Sequence, residues 1–174
     1  VAAAAAVSAP PVLREDVEEF TGLRIAKRSV SALQWHEEIR GKGRRVVQLR
    51  QLRELLRRRD CDRVMVCVLY DRTNSEKLAN GENFASWNLT DLAEPVPRLL
   101  KLQLRWDAFQ HWRSRQAAAV ATRGSIFAIM NPTLVEEGKG GAWGPGSEPV
   151  IRVERASQLH RIGESPSLGR CDMR

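Results

Sequence analysis

The sequence contains little cysteine and no long hydrophobic run, and these two absences argue against several classes of protein. Its three cysteines, Cys61, Cys67 and Cys171, are odd in number and do not have the spacing of a metal site within the chain. We therefore expect a reducing, intracellular compartment and no disulfide framework. No segment approaches the roughly 18 consecutive apolar residues of a membrane-spanning helix, so we expect no integral membrane protein.

The N-terminus also lacks the basic region that begins a secretory signal, and the chain opens on Val1 instead of methionine. This start suggests a fragment or a processed chain. An alanine run, a proline pair and an acidic cluster follow one another in this part of the sequence. Because such segments bury little apolar surface, we expect a disordered tail over residues 1–19.

Motifs for catalysis are missing as well. The histidines His36, His111 and His160 are scattered, without paired carboxylates or a nucleophile motif, so we interpret them as surface or packed residues. The glycine-rich segment Gly138–Gly146 lacks the G-x-x-x-x-G-K-[ST] pattern that cradles phosphate groups, and it does not open an evident helix. We therefore expect no enzymatic activity.

The sequence does have an excess of positive charge. Its 28 lysines and arginines outnumber its 21 aspartates and glutamates, which gives a formal charge of +7. This balance favours polyanionic partners, with nucleic acid first and an acidic membrane surface second. At 174 residues and 43% hydrophobic content, the chain is long enough for one domain with a proper core.

Two alternating segments form the most informative part of the sequence. Residues 100–106 place leucines and Trp106 on one face and cations, including Lys101 and Arg105, on the other. Residues 84–89 alternate in the same way, and two prolines separate the segments. A period of two is typical of half-buried strands, so we predict two strands with a basic outer face. This face is open to two interpretations, a solvated surface or a binding platform.

Further strand signals complete a predicted barrel. Valine-rich or apolar runs occur at 63–70 and 124–130, and a last strand is expected on both sides of a bend at Ala156. This makes about five strands, with a helix inserted between the third and the fourth. The count and order predict a mainly β fold, a five-stranded Greek-key barrel of the oligonucleotide-binding (OB) type.

We expect a helical arm before the barrel. A mixed apolar and basic segment at 20–28 leads to a short helix at 31–40 that is capped by Ser31, and a basic amphipathic helix is expected at about 49–59. The expected organisation is a tail over 1–19, the arm and basic helix over 20–59, the barrel over 60–163, and a terminal segment over 164–174.

The OB fold suggests where a ligand would bind, because its second and third strands and two of its loops form the ligand face. Cations there would track phosphates, and exposed aromatic rings would stack on bases. The candidate DNA-binding residues are Lys77, Phe84, Lys101, Arg105, Lys139 and Trp143. Phe84 can belong to the core or to the surface. Trp87 and Trp106 share faces with leucines, so we expect both in the core.

Several segments together resemble the internal DNA-binding domain of minichromosome maintenance protein ten, a eukaryotic replication factor. In order along the chain they are FTGLRI, RRVVQLRQL, FASWNLTDL, GSIFAIMNP and SLGRC. The resemblance covers roughly residues 20–174 and is weaker at 98–112 and in the glycine-rich loop. It implies a non-catalytic scaffold of DNA replication, acting in initiation and fork elongation. Such a scaffold binds single- and double-stranded DNA with little sequence preference.

The same resemblance implies a nuclear protein, with the replicative helicase and the priming DNA polymerase as partners and no membrane. In that family a zinc finger follows the barrel, and Cys171 matches its opening cysteine. One cysteine cannot hold a tetrahedral zinc, so we expect no cofactor in this chain. A structural zinc is expected only in a full-length protein, and the finger here would be truncated.

An alternative hypothesis is a protein-interaction OB module whose basic charge serves solubility instead of DNA binding. The leucine-rich basic helix expected at 49–59 is the feature that favours it.

Overall fold

The computed structural model describes residues 13–52, 62–73, 75–93, 97–135 and 149–168. The strands in these ranges are β1 (Arg45–Val46), β2 (Arg63–Arg72), β3 (Glu76–Lys77), β4 (Asn83–Thr90), β5 (Leu99–Leu104), β6 (Ser125–Met130), β7 (Thr133–Leu134), β8 (Val150–Val153) and β9 (Leu159–Glu164). The α-helices in the same ranges are α1 (Ala32–His36), α2 (Trp106–Arg113) and α3 (Arg115–Val120). None of these helices is long and apolar enough to cross a membrane.

A bent final strand closes the barrel. β4 pairs antiparallel with β2 and with β5, and β2 also pairs with β6. β8 runs parallel to β5, whereas β9, which continues the same segment, pairs antiparallel with β6. The last strand therefore joins the two open edges, as in an OB fold. The mainly β fold is confirmed, with α2 and α3 between β5 and β6, and β1, β3 and β7 are short additions.

The bend between β8 and β9 is stabilised by hydrogen bonds that replace those of the ladder. The side-chain oxygen of Gln158 accepts hydrogen bonds from the backbone N–H groups of Glu154 and Arg155, at 2.9 and 3.0 Å. Asp107, at the start of α2, accepts another from the N–H of Ala156 at 2.8 Å. The strand can therefore change partner at this point while these backbone donors stay paired.

The interior of the barrel is filled by the inward faces of the strands. On β5, Leu100, Leu102 and Leu104 are fully buried, while the residues between them are partly exposed, which confirms the predicted alternation. Trp87 is also buried, and its ring centroid lies 5.1 Å from that of Phe127. The apolar face of α2 covers one end of this core.

The N-terminal arm covers the outer side of β2 and β6. Its apolar residues Leu23, Ile25, Trp35 and Ile39 form a second buried cluster with residues from β2, β6 and β9. This second cover explains why β2 is apolar on both faces instead of alternating. The short predicted helix is present as α1, and the side chain of Ser31 caps it as expected. Of the predicted basic helix, residues 53–59 lie outside the described ranges.

Glu18 anchors this arm, although the sequence assigned it to the tail. Its side chain is fully buried. One carboxylate oxygen accepts a hydrogen bond from the indole N–H of Trp35 at 2.7 Å, and the other accepts one from the backbone N–H of Thr21 at 2.7 Å. The hydroxyl of Thr21 and the N–H of Phe20 donate to the same carboxylate. The charge is therefore compensated by several donors, as a buried carboxylate requires.

We expect Glu18→Ala to lower the free energy of unfolding by about 2–3 kcal/mol, because it leaves buried donors without an acceptor. The matched control is Glu19→Ala. Glu19 pairs with His36 at the surface, where such a pair contributes less than about 1 kcal/mol. Urea denaturation followed by tryptophan fluorescence measures both changes. Equal stabilities of the two variants would contradict the anchoring role.

The arm approaches β9 most closely at Gly163. Ala26 and Glu164 exchange two backbone hydrogen bonds of 2.7 and 2.8 Å, which bring the two chain segments together. A Cβ atom at Gly163 would lie 2.6 Å from Cγ1 of Ile25 and 2.9 Å from the carbonyl oxygen of Ala26. Only a residue without a side chain therefore fits between arm and strand.

We expect Gly163→Ala to destabilise the domain by about 1–3 kcal/mol, because the added methyl overpacks a fixed contact. Gly41→Ala is the control, since a Cβ there meets no atom within 4 Å. Thermal unfolding and limited proteolysis of the arm compare the two variants. The arm of the Gly163 variant should be cleaved earlier, and identical cleavage of both would refute the close approach.

Candidate nucleic-acid interface

The outer face of β4, β5 and β8 contains the strand residues that we predicted to contact a ligand. Pairing in register places Lys101 beside Asn88 on β4 and beside Val150 on β8. Gln103 lies in the same way beside Arg152. Because paired residues point to the same side of a sheet, these polar and basic groups form one surface, opposite the buried leucines.

A hairpin extends this surface at one end. β3 pairs with the start of β4, with Lys77 opposite Asn83. The predicted turn at Asn80-Gly81 is present. Gly81 adopts a φ of 84°, a left-handed conformation that explains why glycine occupies this position. The side chain of Lys77 is exposed. Because its partner Asn83 lies two positions before the inward-facing Ala85, Lys77 points to the other side of the ladder from Lys101 and adjoins the surface at its end. The polar loop expected to carry this lysine is therefore a short, defined hairpin in the part that the structure describes.

Arg105 stands at the junction of β5, α2 and this hairpin, and it is paired with Glu82. Its Nε and Nη2 donate to the two carboxylate oxygens of Glu82 at 2.9 and 2.5 Å. The Arg105 hydrogen bond is the main reason that the pKa of Glu82 lies below its usual range, with hydrogen bonds from Asn80 and Trp106 adding to it. The carboxylate therefore stays ionised at neutral pH and compensates the charge of Arg105.

Trp106 is exposed, so the prediction that it lies in the core is wrong. Its exposed fraction is 54%, and the guanidinium of Arg105 lies 5.6 Å from its ring centroid. The reason is that β5 ends at Leu104, two residues before the alternation in the sequence ends. Trp106 begins α2 with a φ of 46°, and this left-handed residue turns the chain away from the strand. An exposed aromatic ring beside a cation is therefore a feature of this face that the sequence did not predict.

Phe84 shows the opposite outcome, because a residue considered for the surface is buried. It was a candidate for stacking on bases, with a core position as the open alternative, and the structure buries it at 6% exposure, in a position that alternates with the inward-facing Ala85. β3 folds back on the start of β4, where Phe84 pairs in register with Glu76. Its ring is therefore covered and unavailable to a base in this structure.

The cations of the face differ in whether a carboxylate already compensates them. Arg105 pairs with Glu82, and Arg152 pairs with Glu154 at 3.0 Å. Lys77 and Lys101 form no salt bridge with any residue inside the described ranges. Two further candidates, Lys139 and Trp143, lie outside those ranges, as does Cys171. The free charge in this region is therefore carried by Lys101 on the face and by Lys77 on the adjoining hairpin.

The family model described as MCM10 OB-fold matches residues 19–159 of the chain. This chain belongs to the MCM10 OB-fold family. It is 25% identical over 158 residues to the MCM10 homolog of Danio rerio, covering 89% of this chain and 17% of that protein. It is 23% identical over 159 residues to the Homo sapiens homolog, covering 89% and 16%. The chain thus spans less than a fifth of the length of these relatives.

A solved structure, the crystal structure of the p204 HINb domain, is also similar to this MCM10 family domain. The sequence identity is 11% and the TM-score is 0.35, with 62% of this chain and 44% of that chain covered. A TM-score at this level supports no inference about the fold.

The MCM10 match includes both the arm and the barrel strands up to the start of β9. It confirms the resemblance that the sequence motifs indicated. It also includes residues 98–112, where the motifs were weakest, and the structure shows that this stretch forms β5 and most of α2. The face described above therefore lies within the matched part of the chain.

The described ranges of this MCM10 family domain hold no cluster of three or more His, Cys, Asp and Glu residues that could bind a metal ion. His36 pairs with Glu19, and the ring of His111 lies against that of Trp112. Cys67 is fully buried, and this burial raises the pKa of its thiol. The thiol is therefore protonated at neutral pH and packs as a small apolar group.

The two tryptophans at the ends of the alternating segments should respond differently to truncation. Trp87→Ala removes a buried ring and is expected to cost about 3–5 kcal/mol of unfolding free energy. Trp106→Ala removes a largely exposed ring and its contact with Arg105, which costs less than about 1 kcal/mol. Urea denaturation monitored by circular dichroism compares them without relying on either fluorophore. A large loss of stability in the Trp106 variant would indicate that this residue is part of the core.

Proposed function

We propose that this MCM10 family OB-fold domain is a non-catalytic, nucleic-acid-binding scaffold in DNA replication. The observation that carries the proposal is the outer face of the β4–β5 sheet and its hairpin. Lys101 lies on this face and Lys77 on the adjoining hairpin, both without a carboxylate partner among the described residues, together with the exposed ring of Trp106. Membership of the family and the formal charge of +7 support the same conclusion.

In this proposal the lysines bind phosphate groups, and Trp106 stacks on a base. Stacking of one base on an aromatic ring contributes about 1–3 kcal/mol and depends little on which base is present. Lysine contacts with phosphates are equally independent of sequence. Little sequence preference is therefore expected, and Lys139 and Trp143 of the glycine-rich segment remain candidates for further contacts.

More specific features of the function follow from the family resemblance and are part of the proposal. They are binding of single- and double-stranded DNA, a role in initiation and fork elongation, and a nuclear location. The replicative helicase and the priming DNA polymerase are the proposed protein partners. A structural zinc belongs to this proposal only for a longer protein in which Cys171 is joined by further ligands.

The alternative of a protein-interaction module depended on the basic helix expected at 49–59. The structure shows Leu49–Gln51 as a single 3₁₀ turn, and the part from residue 53 onward lies outside the described ranges. Within those ranges, the face with free lysines and an exposed tryptophan favours a polyanion.

Fluorescence anisotropy with a short single-stranded DNA at several salt concentrations tests the proposal. Each lost phosphate contact should make the slope of log K against log salt shallower by about 0.7. We therefore expect the double variant Lys77→Gln, Lys101→Gln to bind more weakly and to reduce the slope by about 1.4.

The control is Lys27→Gln, Lys42→Gln, which removes the same charge from the arm. These two lysines pair with Glu164 and Glu38, away from the proposed face. The control should keep the wild-type slope. Absence of binding by the wild-type chain at low salt would remove the proposed function, and equal weakening of both double variants would remove the proposed face.

A further inference from the structure

The ion pair between Glu82 and Arg105 occupies donors that a nucleic acid would need. We propose that Glu82 is an internal competitor of the DNA phosphate, so that binding displaces its carboxylate from Arg105. This inference rests on the proposed function and adds a regulatory residue to the same face. It explains why Arg105, the least exposed cation of the face at 12%, is already paired with a carboxylate in the free domain.

The geometry of the pair is that of phosphate recognition. Arg105 holds the carboxylate with two parallel N–H donors, at 2.9 and 2.5 Å. The guanidinium fork fits a phosphate group in the same two-point manner, because carboxylate and phosphate oxygens have similar spacing. A phosphate and Glu82 would therefore use the same two donors and cannot both bind.

The two partners are held differently by the fold. Arg105 is fixed between β5 and α2, and its backbone N–H donates to the carbonyl of Val153 at 3.0 Å. Glu82 belongs to the turn of the β3–β4 hairpin, where its backbone N–H donates to the side chain of Asn80 at 3.0 Å. Its carboxylate is 24% exposed. Exchange of the carboxylate for a phosphate therefore requires a rearrangement at the hairpin only.

Displacement of Glu82 would also affect the neighbouring aromatic ring. Trp106 lies against the guanidinium of Arg105, and its side chain contributes to the hydrogen bonds that hold Glu82 ionised. The same event would thus free the two donors of Arg105 for a phosphate and release the already exposed Trp106 from its hydrogen bond to Glu82. These are the two kinds of group that bind single strands in OB folds.

The second ion pair of the face provides a matched control. Arg152 Nε lies 3.0 Å from a carboxylate oxygen of Glu154 but makes no hydrogen bond to it, and the two residues are two positions apart on one chain segment. Glu82→Gln and Glu154→Gln change the net charge by the same amount. A general increase in positive charge would therefore act on both variants, whereas release of a two-point phosphate site would act only on the first.

The experiment measures DNA affinity by anisotropy across salt concentrations for the wild type, E82Q and E154Q. We expect E82Q to steepen the slope of log K against log salt by up to about 0.7, the value for one phosphate contact, because the wild-type carboxylate still competes for Arg105 and this contact forms only in part. This corresponds to at most roughly eightfold tighter binding near 50 mM salt and roughly fourfold near 150 mM. E154Q should keep a slope close to that of the wild type.

Two further variants distinguish competition for Arg105 from a general effect of net charge on DNA affinity. E82D keeps the charge but shortens the side chain, so it should also tighten binding, which a charge effect would not produce. In an R105Q background, E82Q should no longer steepen the slope, because the freed donors are absent. Thermal unfolding of each variant checks that all retain the fold.

The outcomes distinguish the inference from the proposed function. Equal tightening by E82Q and E154Q, or an effect of E82Q that persists with R105Q, would overturn the competition while DNA binding stands. Absence of DNA binding by the wild type and by every variant would overturn both. A steeper slope for E82Q alone supports the competition.

Discussion

The structure depends on one strand that pairs with two different neighbours. β8 completes the sheet beside β5, and β9, after a short turn, completes it beside β6. Without this change of partner, β5 and β6 would be open edges, and unpaired edges expose backbone donors and acceptors to other chains. The closed barrel has an interior that buries the leucines of β5, and it therefore turns Lys101 and Gln103 between them outward.

The barrel and the arm serve different purposes in the same domain. The barrel interior is filled by leucines and by Trp87, Trp112 and Phe127, while the arm covers the outer side of β2 and β6. The arm covers this side of the sheet, whereas the outer face formed by β4 and β5 lies away from it. Glu18 and Gly163 hold the arm on the other side, one by hydrogen bonds and one by allowing close approach.

The net charge of the chain is a poor guide to how many unpaired cations this face presents. The chain carries a formal charge of +7, yet both arginines of the face are compensated by glutamates, and the described free charge lies on Lys77 and Lys101. The Arg105–Glu82 pair is part-buried, and the Arg152–Glu154 pair is about one-third exposed. In the proposed function, these glutamates set how many cations are available to a polyanion, and therefore the salt dependence of binding.

The sequence alone determined the strand alternation, the inserted helix, the Ser31 cap, the turn at Asn80-Gly81 and the family, because each depends on neighbouring residues or on local motifs. It could not determine that β5 ends before Trp106, since the alternation continues past the last residue of the strand. Nor could it pair Arg105 with Glu82, 23 positions apart, or show that Phe84 is buried next to a two-residue strand. These contacts join segments that are distant in the sequence, so only the closed barrel decides which aromatic rings and which cations reach the surface.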